Sequence, residues 1–280
     1  MPIIAPKQRT EAPVTQRLRG GLFSRFAPIE DSSIRWENGV TWEDVERTDI
    51  GIIGQYNCKP GTTVGLPKVL DKPKGVTIES MEPITLYATF RTTPLDHTPE
   101  EAVAIAAQRL AQYEEYAVES VLWNGVGGRG PALTRVQEWA NNSGAQPAEG
   151  AWNAAEKFAH TPGVAPTFHI SRRLGSLLAA RQYINVDPKT GDAYTIMGTP
   201  VVFGDGYPDT PPIIASTGPI LIYRGDVFTS TNGAGGFDKG TNDLTAVAER
   251  QYVLAFNPDD AYFVKVSTDP GSGKYVARQF

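Results

Sequence analysis

The hydrophobic and polar positions of the chain change their spacing near residue 98, where short apolar runs give way to a helical repeat. Between Thr98 and Asn124, apolar residues recur three or four positions apart, which places them on one face of an α-helix. These residues are Val103, Ala106, Leu110, Tyr113, Ala117 and Val121. The pattern predicts one helix of about 26 residues and about 39 Å, with these side chains on its buried face.

The sequence also marks both ends of this helix. Thr98 provides a hydroxyl for the N-cap, Pro99 occupies the first helical position, and Glu101 occupies the third. A threonine and a glutamate at this spacing can each accept a hydrogen bond from the other's backbone amide, which forms a capping box. Gly125 follows the last periodic residue and tolerates the backbone conformation that ends a helix. The predicted bounds are therefore 98–124.

Runs of β-branched and aromatic residues predict strands on both sides of the long helix. Before it, the predicted strands are 50–56 and 76–90, and Asn38-Gly39 predicts a tight turn. After it, the predicted strands are 167–170, 193–197, 199–203, 213–215, 220–223, 244–256 and 261–266, and the predicted helices are 134–141, 151–159 and 171–182. This alternation indicates an α+β protein in which helices cover a mixed sheet.

Composition narrows the class of protein. The chain has 280 residues, of which 40% are hydrophobic and 20% charged, so it can bury a core in one large or two smaller domains. The single cysteine, Cys58, excludes an internal disulfide and a zinc site built from cysteines. No apolar run has membrane-spanning length, and the first residues lack the basic-then-apolar order of a signal peptide. We therefore expect a cytosolic protein.

Charge is distributed unevenly although the net charge is only −5. The basic residues among the first 29 are Lys7, Arg9, Arg17, Arg19 and Arg25, and Glu11 is the acidic one. Residues 30–49 are rich in carboxylates instead. Several prolines and few large apolar residues before Leu18 favour an extended arm in the basic segment. Such an arm would bind a partner subunit or a polyanion such as nucleic acid, or it would be a solvated terminus.

A second basic segment lies at 59–75 and has almost nothing to bury. Its lysines are Lys59, Lys68, Lys72 and Lys74, and three prolines and three glycines separate them. A long loop in a compact domain usually serves function or reaches a neighbouring molecule, although a mobile surface loop has the same composition.

Neither glycine-rich motif of the chain fits a nucleotide site. Residues 125–130 match the dinucleotide pattern of glycines, but they follow a helix and lead into Pro131. Residues 271–274, with the sequence GSGK, resemble half of a phosphate-binding loop. Thr268 replaces the first glycine of that loop, and Tyr275 replaces its magnesium-binding hydroxyl residue. We therefore assign no cofactor.

The remaining polar residues indicate no catalytic or metal site. The histidines have no histidine partner at helical or strand spacing; they are His97, His160 and His169. Two carboxylate pairs, Asp205 with Asp209 and Asp259 with Asp260, lie in predicted turns, where acidic side chains commonly cap the backbone. Glycoside hydrolases also use paired carboxylates, so a hydrolytic α+β enzyme stays open as an alternative.

The order of these segments resembles the major capsid protein of tailed bacteriophages, a fold that encapsulin shell proteins share. The first segment that carries the resemblance is 84–125, in which a strand ending in Thr92-Thr93 leads into the long helix and its closing sequence YEEYAVESVLWNG. The second is IMGTPVVF at 196–203, which is similar to the family's glycine-x-proline-valine strand. The third is the late pair of strands at 244–266.

The resemblance implies a division of the chain. Residues 1–35 would form an N-terminal arm, and 36–90 would contain an extended β-hairpin loop. A peripheral domain would comprise 91–129 and 235–280, with the long helix 98–124 as its spine. Residues 130–234 would form an axial domain with a mixed sheet and helices.

The resemblance also implies a function in assembly. Pentamers and hexamers of the chain would close an icosahedral shell around the double-stranded DNA of a phage, with non-specific contacts to that DNA. Assembly would take place in the bacterial host cytoplasm, with a separate scaffold, a portal and decoration proteins as further partners and no membrane. An encapsulin-type compartment around an enzyme cargo is the alternative within the same fold.

Charged residues of the arm and of the loop are the candidate subunit contacts. The basic candidates are Arg17, Arg19, Arg25, Lys68, Lys72 and Lys74, and the acidic candidates are Glu43 and Asp44. We expect Arg17 and Arg19 to face carboxylates of a neighbouring copy, since complementary charges fix the register of an interface. Those carboxylates are Glu30, Glu43, Asp44 and Glu46.

Overall fold

The computed structural model describes residues 19–31, 33, 35–44, 77–126, 132–139, 146–159, 165–231 and 243–267. Its helices are α1 (Leu22–Arg25), α2 (Pro99–Asn124), α3 (Ala148–Ala159) and α4 (Arg172–Ala180), with 3-10 turns at Trp36–Asn38 and Pro258–Asp260. Its strands are β1 (Ile29–Glu30), β2 (Val40–Asp44), β3 (Thr77–Met81), β4 (Ile84–Thr92), β5 (Gln137–Glu138), β6 (Gln146–Pro147), β7 (Thr167–Ser171), β8 (Ile184–Val186), β9 (Ala193–Thr195), β10 (Pro200–Gly204), β11 (Ile213–Thr217), β12 (Leu221–Arg224), β13 (Phe228–Thr231), β14 (Leu244–Ala255) and β15 (Tyr262–Ser267).

Helix α2 has the ends that the sequence predicts. The amide of Glu101 donates to the hydroxyl of Thr98 at 3.2 Å, and the amide of Thr98 donates to the Glu101 carboxylate at 2.9 Å. At the other end, Gly125 has φ of 73°, where a side chain would strain the backbone. The capping box and the glycine stop are therefore confirmed.

The buried face of α2 differs from the predicted one. It is formed by Ala102, Ala106, Leu110, Glu114, Val118, Glu119, Leu122 and Trp123. Tyr113, which we expected inside, is 65% exposed. Apolar spacing favours Tyr113 over its neighbour Glu114, whereas in the folded chain two partly buried arginines and a buried tyrosine bind the Glu114 carboxylate.

A five-stranded sheet lies against α2. The long strand β14 is its centre, with β4 antiparallel on one side and β12 and β13 antiparallel on the other. Strand β1 pairs with the outer edge of β12. Residues of β4 alternate between half-buried and exposed, so one face of the strand packs under α2. Ala102 and Ala106 of the helix, being small, pack closely on Ala246 and Ala248 of β14.

The second sheet has eight strands in a mixed arrangement, as the alternation of elements predicts. Its central strand β7 is buried along its whole length, parallel to β10 and antiparallel to β11. Helices α3 and α4 cover one face, where Trp152 and Leu178 pack with Phe168. Residues of the other face, including Val202 and Ala215, join the core cluster that contains the end of α2.

Strand pairing crosses the bounds of the predicted division, which stays a prediction. We expected the final strands to complete the sheet beside α2, but β15 pairs with β11 in the eight-stranded sheet. Conversely, β12 and β13 fall within the range 130–234 and pair with β14 beside α2. The predicted helix 134–141 is wrong as well, because Gln137 and Glu138 form β5 along the edge of β15.

The region before α2 also departs from prediction in detail. The predicted strand 76–90 is divided into β3 and β4 at Pro83, which has no amide to donate to a ladder. The expected turn at Asn38-Gly39 is the end of a 3-10 turn, after which Gly39 has φ of 103°. Strand β2 then pairs with β3 in a separate hairpin. The predicted strand 50–56 and the lysine-rich segment 59–75 lie outside the described residues.

Residues 19–31, assigned to an extended arm, pack against their own chain instead. Leu22 is fully buried and Phe23 nearly so, and both belong to the core cluster at the end of α2. The Phe23 ring stacks on Tyr252 of β14, with centroids 6.3 Å apart. The short helix α1 thus contributes to the core of the chain. Residues 1–18 lie outside the described part of the chain.

Candidate functional site

Two buried carboxylates on α2 are the least expected feature of the structure. Glu114 and Glu119 are 2% and 1% exposed. A buried charge is costly unless it is paired and hydrogen-bonded. The partners of these two side chains therefore show what the second half of α2 holds together.

Glu114 is the centre of a charge network that joins α2 to the five-stranded sheet. One carboxylate oxygen accepts from Arg250 at 2.9 Å and from the Tyr252 hydroxyl at 2.6 Å, and the other accepts from Arg224 at 3.3 Å. Burial and the bond to Glu114 raise the pKa of Tyr252. Arg224 also binds the exposed carboxylate of Glu30 and lowers its pKa. Charges from α2, β1, β12 and β14 thus meet at one point.

Glu119 holds backbone amides instead of cations. Its two oxygens accept from the amides of Leu22 and Gly206, each at 2.9 Å. The neighbouring Glu115 accepts from the amide of Phe23 at 2.9 Å. Burial raises the pKa of Glu119 to about 7, although the two amide bonds oppose this shift. The first turn of α1 is therefore bound to α2 through two carboxylates.

His169, one of the three histidines of the sequence, is a fully buried member of the core. Its ring nitrogens lie 3.0 Å from the Tyr207 hydroxyl and 2.9 Å from the Thr217 hydroxyl. Burial lowers the pKa of His169 to about 3, so the imidazole is neutral at physiological pH. The Tyr207 ring stacks on Trp123 with centroids 4.6 Å apart. This arrangement supports packing, and no described residue near it completes a catalytic triad.

Two members of the carboxylate pairs that kept a hydrolase open have structural partners. Asp205 forms an ion pair with Arg172, and the amide of Asp259 is capped by Asn257 at 2.9 Å. Within the described ranges, no group of three potential metal ligands comes together. No helix of those ranges is long and apolar enough to cross a membrane.

The open face of the five-stranded sheet carries exposed aromatic side chains. Tyr87 of β4 and Phe228 of β13 flank Glu249 of β14 in register, and they are 71% and 63% exposed. Residues of β4 and α2 line a groove of about 680 Å³, and the exposed Tyr113 is one of them. Large exposed apolar groups of this kind are typical of surfaces that other proteins cover.

A second exposed apolar feature is the tip of the hairpin between β9 and β10. Ile196 and Met197 are 65% and 71% exposed. The tip is hydrogen-bonded internally, because the Thr195 hydroxyl accepts from the amides of Met197 and Thr199, each at 3.1 Å. Gly198 has φ of 88°, which closes the turn. The hairpin therefore presents two apolar side chains on a fixed backbone.

The structure describes only some of the residues that we predicted to contact other subunits. Arg19 donates to the carbonyl of Lys189 in its own chain, and Arg25 is exposed at the end of α1. The backbones of Glu43 and Asp44 pair with Ile78 and Thr77 in the β2–β3 hairpin. Arg17, Lys68, Lys72 and Lys74 lie outside the described residues. A role of these residues between subunits stays a prediction.

Sequence reasoning missed Glu114 and Glu119, although the first had a visible signal. Glu114 lies four positions after Leu110 and four before Val118, so a helical wheel places it in the buried line. Its partners Arg224 and Arg250 are more than a hundred positions away, and nothing local points to them.

Solved structures have a similar fold over nearly the whole length of this chain. The capsid of a native GTA particle computed with C5 symmetry matches with a TM-score of 0.61 and 12% identity, over 95% of this chain and 96% of that chain. A structure from Mycobacterium phage Cain matches with a TM-score of 0.57 and 14% identity, over 95% and 96%. One from Microbacterium phage Oxtober96 matches with 0.54 and 13%, over 95% and 96%. No protein-family model and no curated protein matches the chain. The predicted phage capsid fold is therefore confirmed.

Proposed function

We propose that this chain is the major capsid protein of a tailed bacteriophage, and that many copies of it form the icosahedral shell around the double-stranded DNA genome. The observation that carries the proposal is the match to phage capsid structures over 95% of the chain, including a capsid with C5 symmetry. A fold alone does not fix a function, so the proposal also rests on surfaces that a single copy leaves open.

Pentamers and hexamers would cover these open surfaces. In our proposal, the apolar hairpin tip at Ile196 and Met197 packs against a neighbouring copy within a ring, and the Tyr87–Phe228 face packs between rings. Burial of such side chains supplies the driving force for association, and charges at the rim set the register. The eight-stranded sheet would serve as the axial domain and the α2 sheet as the peripheral domain.

The charged residues predicted from the sequence to contact other subunits are part of the same proposal. Arg17, Lys68, Lys72 and Lys74 would meet carboxylates of the next copy, with Glu43 and Asp44 among the candidates. Arg25, exposed on α1, is available for such a contact. The packaged DNA would be held without sequence preference, and a scaffold, a portal and decoration proteins would act as separate partners in the bacterial cytoplasm.

Electron microscopy and sedimentation of the purified protein test the proposal. We expect closed shells or capsomers, and we expect Met197→Asp to give a folded subunit that no longer assembles, because the charge would be buried between copies. Asn153→Asp adds the same charge at an exposed position of α3 and should still assemble. A wild-type protein that stays a monomer at every concentration tried would contradict the proposal. Shells that enclose a protein cargo and no nucleic acid would favour the encapsulin alternative.

A further inference from the structure

The segment 19–26, here called the strap, connects the two sheets of the subunit. On one side, the carbonyl of Gly20 accepts from the amide of Phe203 in β10 at 2.8 Å. Arg172 of α4 donates to the carbonyl of Arg19 at 3.0 Å. Gly20 has φ of 78°, and a Cβ there would lie 2.8 Å from the carbonyl oxygen of Gly191. The strap therefore packs directly against the backbone of Gly191.

On its other side, the strap is held by the carboxylates of α2. The amides of Leu22 and Phe23 open helix α1 and have no partner within that short helix. Glu119 and Glu115 accept from these two amides, each at 2.9 Å. The attachment is thus made by two acidic side chains that lie one helical turn apart.

Glu119 also binds a third element of the structure. Its second oxygen accepts from the amide of Gly206, in the connection between β10 and β11, at 2.9 Å. A Cβ at Gly206 would collide with the backbone carbonyl of Tyr116, so this connection lies against α2 without space for a side chain. One carboxylate therefore ties α2, the strap and the eight-stranded sheet together.

The charged groups around Glu119 are mostly of its own sign. Glu115 faces it from α2, and Asp205 faces it from the β10–β11 connection. Arg172 of α4 forms an ion pair with Asp205, and Tyr207 contributes a buried hydroxyl. Burial disfavours the ionised form of Glu119 as long as the strap covers it, and the nearby carboxylates of Glu115 and Asp205 add to this effect, so the pKa of Glu119 rises to about 7.

We propose that Glu119 is a pH-dependent latch for the strap, which is held firmly when Glu119 is protonated and is loosened when Glu119 ionises. In the protonated form each oxygen keeps a lone pair for its amide partner. In the ionised form, release of the strap allows water to solvate the charge. The latch operates within one subunit and does not depend on the proposed shell.

The direction of the effect follows from linkage. A carboxyl group with a normal pKa near 4.5 when released and about 7 when covered binds its proton more tightly in the latched state. The latch therefore contributes fully below pH 4.5, weakens as the pH rises through 7, and does not change further in more alkaline solution. Between pH 5 and pH 8, the equilibrium for opening should rise on the order of 50-fold.

Amide hydrogen exchange on the full chain tests the latch. We expect the protection factors of the Leu22, Phe23 and Gly206 amides, corrected for intrinsic exchange, to fall by that factor from pH 5 to pH 8. The amide of Gly125, which donates to the Val121 carbonyl at 2.7 Å, is the internal reference. Sedimentation at both pH values ensures that one assembly state is compared.

Glu119→Gln should remove the pH dependence, whereas Glu100→Gln, an exposed change at the start of α2, should retain it. Glu115→Gln keeps an acceptor for Phe23 but removes a neighbouring negative charge, so the midpoint should move to lower pH. The midpoint shift of Glu115→Gln tests the latch even if Glu119→Gln fails to fold. Wild-type protection that is constant between pH 5 and pH 8, or a midpoint that Glu115→Gln leaves unchanged, would overturn the proposal.

Discussion

The two halves of α2 are buried by partly different means. In the first half, Ala102, Ala106 and Leu110 pack on apolar residues of β14. In the second half, Glu114 and Glu119 occupy equivalent positions and are satisfied by arginines, a tyrosine and backbone amides. The comparison shows that one helix can keep a single buried face while a charge network is added to the hydrophobic contacts, which Val118, Leu122 and Trp123 continue in the second half.

The difference matters because the two kinds of contact specify different things. Apolar contact is non-directional, so the first half tolerates any partner of suitable shape. The network at Glu114 requires Arg224 and Arg250 at fixed positions on β12 and β14. We therefore infer that the polar half fixes the register of α2 on its sheet, while the apolar half supplies general stability.

The largest expected effect comes from breaking the polar half. Glu114→Ala leaves the charges of Arg224 and Arg250 without their buried acceptor, so the free energy of unfolding should fall by about 3–5 kcal/mol. Urea unfolding of the monomeric protein measures this loss. Gln108→Ala, an exposed change on the same helix, is the control and should stay within about 0.5 kcal/mol of wild type. Equal stability of the two variants would show that the network adds nothing.

The next effect comes from the apolar half. Leu110→Ala removes a side chain that is 4% exposed, so we expect a loss of about 2–5 kcal/mol in the same measurement. Tyr113→Ala changes a residue that is 65% exposed and should cost less than about 1 kcal/mol. A larger loss of stability for Tyr113→Ala than for Leu110→Ala would instead support the buried face predicted from apolar spacing.

A buried histidine near the second half of α2 should make the protein sensitive to acid. His169, which contacts Tyr207 beneath Trp123, has its pKa lowered to about 3 by burial, so the unfolded chain binds the proton more readily. Stability should fall by about 1.4 kcal/mol per pH unit as the pH drops from 6.5 towards 3. His169→Gln should flatten this part of the profile. Glu119 contributes the opposite slope between pH 4.5 and 7 in both proteins. The difference between the wild-type profile and the His169→Gln profile therefore gives the contribution of the histidine. Parallel profiles would contradict the prediction.

The smallest effect concerns the start of the apolar half. Thr98→Ala removes the hydroxyl that caps Glu101, and it should cost about 1 kcal/mol and reduce exchange protection in the first turn alone. Thr98→Ser keeps the hydroxyl and should restore both quantities. A loss in the serine variant equal to that in alanine would exclude the cap as the cause.

The sequence by itself determined the features that depend on neighbouring residues. The bounds of α2, its capping box and most central strands were predicted correctly, because each depends on contacts within a few positions. The order of these elements was also enough to indicate the capsid fold. Of the candidate site, the sequence supplied charged segments, whose contacts between subunits stay predictions.

Only the tertiary structure decided which side of α2 is buried, which sheet holds β15, and where residues 19–26 lie. Glu114 is buried because Arg224 and Arg250 neutralise it, and Glu119 because amides of Leu22 and Gly206 satisfy it. These partners lie 87 to 136 positions away along the chain. The energy of a buried charge depends on groups brought together by the fold, so a helical wheel could place Glu114 in the buried line but could not reveal the partners that allow its burial.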